Sequence, residues 1–166
     1  MEKENKFKKY VKRYYLVYLI IAVALTLDLV TKAVLTNKNI SVIPKVLSFV
    51  YTENTGGAFS MLSSATWLLI ATSIVFILLI TITEKFYKTD SKLFLVAYSL
   101  ILAGAIGNLV DRIIFGYVRD FIKLDFMDFS RMNTIFNIAD ICVTVGVVCM
   151  ILHFIISLVK EKKVEK

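Results

Sequence analysis

The sequence predicts an α-helical integral membrane protein with four transmembrane helices and a small β-sheet on the extracytoplasmic side. Hydrophobic residues make up 58% of the chain, the mean hydropathy is +0.74, and four apolar stretches are each long enough to cross a bilayer. A soluble domain has a much lower apolar content. With 166 residues, the chain is expected to form one membrane-embedded domain, 1–166.

The four predicted spans cover residues 14–34, 66–83, 93–115 and 136–159. A bilayer core about 30 Å thick requires roughly 20 apolar residues per helix, which is close to the length of each stretch. The first span follows a basic segment and contains Ala22-Val23-Ala24, a triplet that imitates the cleavage site of a signal peptide. Its apolar run continues beyond this triplet, so we expect the segment to remain as the first span.

The positions of the basic residues predict the orientation of the spans. The connection 84–92 carries Lys85, Lys88 and Lys92, which by the positive-inside rule face the cytoplasm. Four crossings return the chain to its starting side, so both termini are predicted to be cytoplasmic. Both terminal segments are basic, with Lys3, Lys6, Lys8, Lys9, Lys12 and Arg13 before the first span and Lys160, Lys162, Lys163 and Lys166 after the last. The formal charge of +7 therefore indicates membrane orientation rather than nucleic-acid binding.

The predicted outer segments are consequently 36–65 and 116–135. Residues 40–51 are rich in β-branched and aromatic side chains, which predicts short strands at the membrane interface. Pro44 has no N–H to donate to a neighbouring strand, so a strand that contains it is restricted to a sheet edge.

Ionisable side chains within the spans are the first indication of function. Each costs roughly 2.5 to 3.5 kcal/mol near mid-bilayer, so those present are expected to make specific contacts. Asp28 and Lys32 lie one helical turn apart and are expected to form an ion pair. Asn108, Asp111 and Arg112 share one face of the third span, where Arg112 is expected to neutralise Asp111.

Two further aspartates lie at the outer ends of the spans. Asp120 follows the third span in an apolar setting, and Asp140 lies at the start of the fourth. An aspartate near a helix start is frequently an N-cap or a partner of the helix dipole, and this alternative stays open for Asp140. The predicted topology brings Asn54 and Asn137 to the same membrane depth as these aspartates.

A polar cluster at one depth of the bilayer is typical of a buried active site or an ion pathway. A small proton-coupled transporter needs polar groups near the midplane with access from both faces, whereas these residues gather toward one side. An assembly or anchor protein uses polar residues to hold helices together, which explains the two predicted ion pairs. It does not explain Asp120 and Asp140, whose motifs contain no cation one helical turn away.

No metal or cofactor is predicted. Cys142 and Cys149 lie in one apolar run and His153 is the single histidine, so no group of these residues has metal-ligand spacing. A hydrolysis performed by two carboxylates requires no metal.

Five motifs occur in order along the chain: Asp28-Leu-Val-Thr-Lys32, Asn54-Thr-Gly-Gly-Ala-Phe-Ser60, Gly107-Asn108-Leu-Val-Asp111-Arg112, Val118-Arg-Asp120-Phe and Phe136-Asn137-Ile-Ala-Asp140. In these motifs the sequence resembles the bacterial lipoprotein signal peptidase family, also called signal peptidase II, along nearly its whole length. Leu29 replaces the Gln that is common in the family, and Gly57 replaces the common Ala. Neither departure falls on a residue that is expected to perform chemistry.

The resemblance implies four transmembrane helices with a small extracytoplasmic β-cradle. It also implies an intramembrane aspartic endopeptidase in which Asp120 and Asp140 are the catalytic pair. Two carboxylates that lie close together in a low dielectric share a proton, so that one acts as base and the other as acid. The remaining polar residues are expected to bind substrate or to support the site: Asp28, Lys32, Asn54, Asn108, Asp111, Arg112 and Asn137.

The implied reaction removes signal peptides from prolipoproteins by cleavage immediately before a diacylglyceryl-modified Cys. The expected partners are these prolipoproteins and membrane lipids, and globomycin is the inhibitor that the resemblance implies. The implied location is the bacterial cytoplasmic membrane, with the active site toward the outer face. The sequence does not specify which aspartate carries the shared proton, because that depends on local burial.

Overall fold

The computed structural model describes residues 2–56, 66–87, 89, 91–127 and 135–164. Parts of both predicted outer segments, 57–65 with Gly57 and 128–134, lie outside the described residues, as does Lys88. The side chains of the predicted basic termini up to residue 10, of Lys12 and from Lys163 onward also lie outside the description. The description therefore covers the four helices and most of both outer segments.

Four helices form the body of the molecule: α1 Glu2–Leu35, α2 Thr66–Phe86, α3 Lys92–Phe115 and α4 Ile138–Val164. The parts that are long and apolar enough to cross a membrane are Arg13–Leu35, Thr66–Phe86, Lys92–Phe115 and Ile138–Lys162. The prediction of four spans is confirmed, although α1 begins well before its predicted span, at Glu2, and α4 begins slightly after its predicted start, at Ile138. The residues added at the helix ends are mostly polar or basic, which is expected where a helix leaves the hydrocarbon layer.

Helix α3 is the centre of the bundle and packs against the other three helices. It begins after Ser91, whose side chain accepts a hydrogen bond from the Phe94 amide, and it ends at Gly116, which adopts a left-handed φ of 81°. Its most extensive contact is with α4. A Cβ atom at Gly104 would lie 2.3 Å from the carbonyl oxygen of Ala139 on α4. Glycine is therefore required for this close approach.

The outer surfaces of the bundle are apolar. Large side chains such as Trp67, Leu79 and Ile155 are more than half exposed. In α2, no residue of the most apolar stretch is buried inside the bundle. Such a surface would be unfavourable in water, but hydrocarbon chains can cover it in a bilayer.

A four-stranded antiparallel sheet lies at one end of the bundle, with strand order β1-β2-β3-β4. The strands are β1 Asn39–Ile43, β2 Leu47–Asn54, β3 Val118–Leu124 and β4 Ile135–Phe136. The two strands expected within 40–51 are confirmed, and Pro44 lies in the turn that follows the edge strand β1. Strands β3 and β4 were not predicted. Charged residues interrupt the apolar pattern of β3, and β4 has only two residues.

Pairing between β2 and β3 joins the α1–α2 connection to the α3–α4 connection. Both connections therefore lie at the same end of the bundle, which we call the sheet end. At the opposite end, Arg13 of α1 forms an ion pair of 2.5 Å with Glu84 of α2. His153 is buried there and its Nε2 lies 3.2 Å from the Tyr87 hydroxyl. Polar contacts thus hold the helices together at both ends.

Candidate active site

Asp120 lies on β3 opposite Thr52 of β2, and it is only 2% exposed. Its carboxylate accepts two hydrogen bonds from amide side chains. Asn54 Nδ2 donates to Oδ2 at 2.9 Å, and Asn137 Nδ2 donates to Oδ1 at 2.7 Å. The sheet therefore presents this carboxyl group to the first residues of α4.

Asp140 lies in the first turn of α4 and forms a reciprocal capping box with Asn137. Asn137 Oδ1 accepts from the Asp140 amide at 2.9 Å, and Asp140 Oδ2 accepts from the Asn137 amide at 3.1 Å. Asn137 is therefore the N-cap of α4, and Asp140 is its capping-box partner in the first turn rather than the N-cap itself. The other oxygen of Asp140, Oδ1, accepts from Asn108 Nδ2 at 2.8 Å, which places it next to a second helix.

Asn137 is the residue that joins the two acids. It is completely buried, its side-chain amide bonds Asp120, and its backbone amide bonds Asp140. The same side-chain nitrogen also donates to Asn108 Oδ1 at 3.1 Å. The structure thus brings together Asp120, Asp140, Asn54, Asn108 and Asn137 at the sheet end.

The environment of Asp120 favours its neutral form. Burial first, and then the negative charge of Asp140, raise the pKa of Asp120 from 3.8 to about 7. Hydrogen bonds from Asn54 and Asn137 oppose this rise in pKa without cancelling it. At neutral pH this carboxyl group can therefore both donate and accept a proton.

The ammonium group of Lys32 is a buried positive charge near these acids. Its ammonium lies 2.8 Å from Asp28 Oδ2 and 3.4 Å from Asp111 Oδ2, and it donates to Asn108 Oδ1 at 3.0 Å. The predicted ion pair of Asp28 and Lys32 is confirmed. Asp28 Oδ1 also accepts from the Ala139 amide at 2.8 Å, so it attaches the start of α4 to α1.

The predicted pairing of Arg112 with Asp111 is wrong. Asp111 instead binds Arg119, whose Nη2 donates to Oδ1 at 2.7 Å and whose Nε and backbone amide donate to Oδ2 at 3.2 and 3.0 Å. Adjacent positions on a helix point in directions about 100° apart, and β3 folds back to offer a better-aligned guanidinium. Among the described residues, Arg112 Nε has no hydrogen-bond partner.

Arg112 contributes to the wall of a cavity that reaches Asp140. The cavity has a volume of about 310 Å³ and lies between α2, α3 and α4. Its lining combines polar groups near the sheet end with apolar and hydroxyl side chains: Ser73, Phe76, Ala105, Asn108, Arg112, Asp140, Val143 and Thr144. The cavity therefore places Asp140 beside apolar side chains of three helices.

Sequence reasoning did not assign any role to Arg119. The available signal was its position directly before Asp120. Neighbouring side chains on a strand point to opposite faces, so Arg119 faces away from the side that Asp120 occupies. The described residues contain no group of three or more His, Cys, Asp or Glu side chains that could hold a metal ion. They also contain no cation within ion-pair distance of Asp120 or Asp140. Two carboxyl groups linked by amides can perform general acid and base catalysis on a polar bond.

Comparison with known proteins shows the family of the chain. The profile of the family described as Signal peptidase (SPase) II matches residues 20–156. The chain is 40% identical over 147 residues to the lipoprotein signal peptidase of Enterococcus faecalis, covering 84% of this chain and 88% of that protein. It is 39% identical over 142 residues to the lipoprotein signal peptidase of Clostridium tetani, covering 82% of this chain and 90% of that protein.

Solved structures agree as well. A bacterial membrane enzyme determined by the in meso method at 2.3 Å resolution superposes with a TM-score of 0.77 at 30% identity, covering 90% of this chain and 91% of that one. A second, determined at 1.9 Å, gives a TM-score of 0.74 at 30% identity and covers 83% of this chain and 91% of that one. The chain is a multi-pass membrane protein, and it belongs to the signal peptidase II family of membrane proteases.

Proposed function

We propose that Asp120 and Asp140 are the catalytic pair with which this signal peptidase II removes signal peptides from prolipoproteins. The observation that carries the proposal is the position of Asn137, which donates to both carboxylates from a completely buried site. Its two contacts span two different elements, β3 and α4. Asn137 thereby holds two acids that are separated in the sequence close to each other, as a hydrolytic pair requires.

The proton of the resting pair is assigned to Asp120. Burial raises the pKa of Asp120 to about 7, so that it carries a proton below that pH. Asp140 lies in the first turn of α4, where the helix dipole stabilises a negative charge. Asp120 is then the acid and Asp140 is the base.

The reaction follows from these assignments. Asp140 removes a proton from water while the water oxygen attacks the carbonyl carbon of the scissile peptide bond. Asp120 donates a hydrogen bond to the carbonyl oxygen and then transfers its proton to the leaving nitrogen as the C–N bond breaks. The half-buried Arg112 lines the cavity, and its Nε has no hydrogen-bond partner among the described residues, so it can stabilise the developing oxyanion.

The proposed cleavage site immediately precedes a Cys that carries a diacylglyceryl group. The cavity between α2, α3 and α4 extends from Asp140 along apolar side chains such as Phe76 and Val143, which suits a substrate that arrives through the bilayer. Membrane lipid surrounds the acyl chains and keeps the substrate at a defined depth, so binding does not require a deep protein pocket. Globomycin is expected to inhibit the reaction by occupying this cavity.

We assign the sheet end to the outer face of the bacterial cytoplasmic membrane. Lys85 and Lys92 lie in the connection at the opposite end of the bundle, and the positive-inside rule favours the cytoplasm for such a connection. Both termini are at that end too, since the number of helices is even. The acid pair then faces the side on which lipid-modified prolipoproteins are exposed.

The test is to replace each acid by its isosteric amide. Asp120→Asn and Asp140→Asn are each expected to reduce the turnover of a lipid-modified prolipoprotein by roughly a hundredfold to ten-thousandfold, which is the contribution of a general acid or a general base. Asp125→Asn is the matched control, since this acid lies just beyond β3 and is bonded to Ser48 instead. Near-normal turnover in either variant, with membrane insertion intact, would refute the acid pair.

The same preparation tests the lipid requirement. The wild-type chain is mixed with a diacylated prolipoprotein and, separately, with the unmodified precursor, each with and without globomycin. We expect cleavage of the diacylated form alone, and we expect globomycin to stop it. Equal cleavage of both forms would contradict the proposed substrate class, while leaving the assignment of the acids unaffected.

A further inference from the structure

We propose that Arg119 is a positioning residue for the acid pair, acting through the buried charges of Asp111 and Lys32. The inference rests on the proposed function, because it requires Asp140 to be catalytic. Arg119 does not occur in the lining of the active-site cavity, so it has no direct route to the substrate there. Its action must therefore pass through its neighbours.

Arg119 is held tightly against α3. Three of its nitrogens donate to the carboxylate of Asp111, at 2.7, 3.0 and 3.2 Å. Its guanidinium carbon also lies 4.4 Å from the ring centre of Phe115, in cation–π geometry. Both partners belong to the last turns of α3. The residue directly before Asp120 is thus anchored to the central helix by its backbone and its side chain.

Arg119 balances the buried charges around Lys32. Asp28 and Asp111 both contact the single ammonium of Lys32, and the side chains of all three residues are at most 1% exposed. One cation cannot neutralise two carboxylates. Arg119, whose side chain is 12% exposed, supplies the second positive charge. The four side chains together are neutral, which is the condition under which such charges can stay buried.

This balance reaches Asp140 through the side-chain amide of Asn108. Lys32 donates to Asn108 Oδ1 at 3.0 Å, and Asn108 Nδ2 donates to Asp140 Oδ1 at 2.8 Å. Loss of the Arg119 charge would leave Asp111 with Lys32 as its only cationic partner among the described residues. The ammonium would then move toward Asp111 and away from Asn108, and the amide would no longer hold Asp140 in place.

The experiment compares variants of the full chain, purified in detergent micelles, on a lipid-modified prolipoprotein. Arg119→Met is expected to lower kcat by about tenfold to thirtyfold and to change KM by less than about twofold, since the effect is on the orientation of Asp140 and not on binding. Arg119→Lys keeps the charge and should retain kcat within about threefold of wild type. Lys123→Met, which removes a cation from the same strand, is the matched control and should leave both constants unchanged.

A double-mutant cycle tests the route of the effect. Asp111→Asn removes the surplus negative charge, so adding Arg119→Met to it should lower kcat by less than about threefold further. Independent effects would multiply, and that result would overturn the inference. So would normal turnover in Arg119→Met, or an equal loss in Arg119→Lys and Arg119→Met. Asp120→Asn is assayed in parallel, because activity in that variant would instead refute the proposed function.

Discussion

Replacement of Asn137 by Ser separates the two contributions of this side chain. Serine caps a helix about as well as asparagine, so the hydroxyl can still accept from the Asp140 amide at the start of α4. It is too short to donate at the same time to Asp120 Oδ1, which Asn137 Nδ2 reaches at 2.7 Å. Loss of this donor leaves a buried carboxyl oxygen unsatisfied, which costs about 1–3 kcal/mol. We therefore expect kcat to fall by roughly fivefold to a hundredfold.

The same lost contact should also lower the stability of the variant. Thermal unfolding in micelles is expected to give a lower Tm for Asn137→Ser than for wild type, and a Tm lower still for Asn137→Ala, which also loses the cap and about 1 kcal/mol of stability. Asn39→Ser, on the exposed edge strand, is the control for a general effect of the exchange. A kcat for Asn137→Ser within twofold of wild type would show that the amide contact does not organise the acids.

Three further outcomes are expected. Burial raises the pKa of Asp120 to about 7, and the reaction requires its protonated form, so kcat/KM should decline as the pH rises above about 7. A pH profile that continues to increase into the alkaline range would contradict this assignment. Gly104→Ala should lower both Tm and kcat, because the added Cβ would collide with Ala139 on α4, at a cost of about 1–3 kcal/mol. Gly116→Ala should affect only Tm, because the space around this glycine is open. Glu84→Gln should lower Tm, because it leaves Arg13 without its ion-pair partner at the opposite end of the bundle, and a large loss of kcat well below Tm would show that the two ends are coupled.

The predicted spans agree closely with the helices because their information is local. Length and hydropathy suffice to identify a helix in lipid, where every backbone polar group must find its partner within the helix. The strands at 39–43 and 47–54 were recognisable for a similar reason, since β-branched side chains are dense there. Strand β3 was not recognised, because Arg119, Asp120 and Lys123 give it the composition of a loop. It becomes a strand through pairing with β2.

The charged residues mark the limit of local information. The pair formed by Asp28 and Lys32 was predictable, because one helical turn separates them on the same element. The partner of Asp111 was not predictable. Arg112 is its neighbour in the sequence, but the cation that contacts Asp111 in the folded protein is Arg119. Helical periodicity says which residues share a face, but it does not say which strand folds back against that face.

The sequence by itself determined the four apolar crossings, the connections between them, and the motifs that contain Asp120 and Asp140. Each of these depends on composition or on short spacing. Only the tertiary structure decided that Asn137 contacts both acids, that Lys32 serves two carboxylates, and that Arg119 completes their charge balance. Those contacts join residues from separate helices and strands, and their geometry exists only once β2 pairs with β3 and α4 packs on α3.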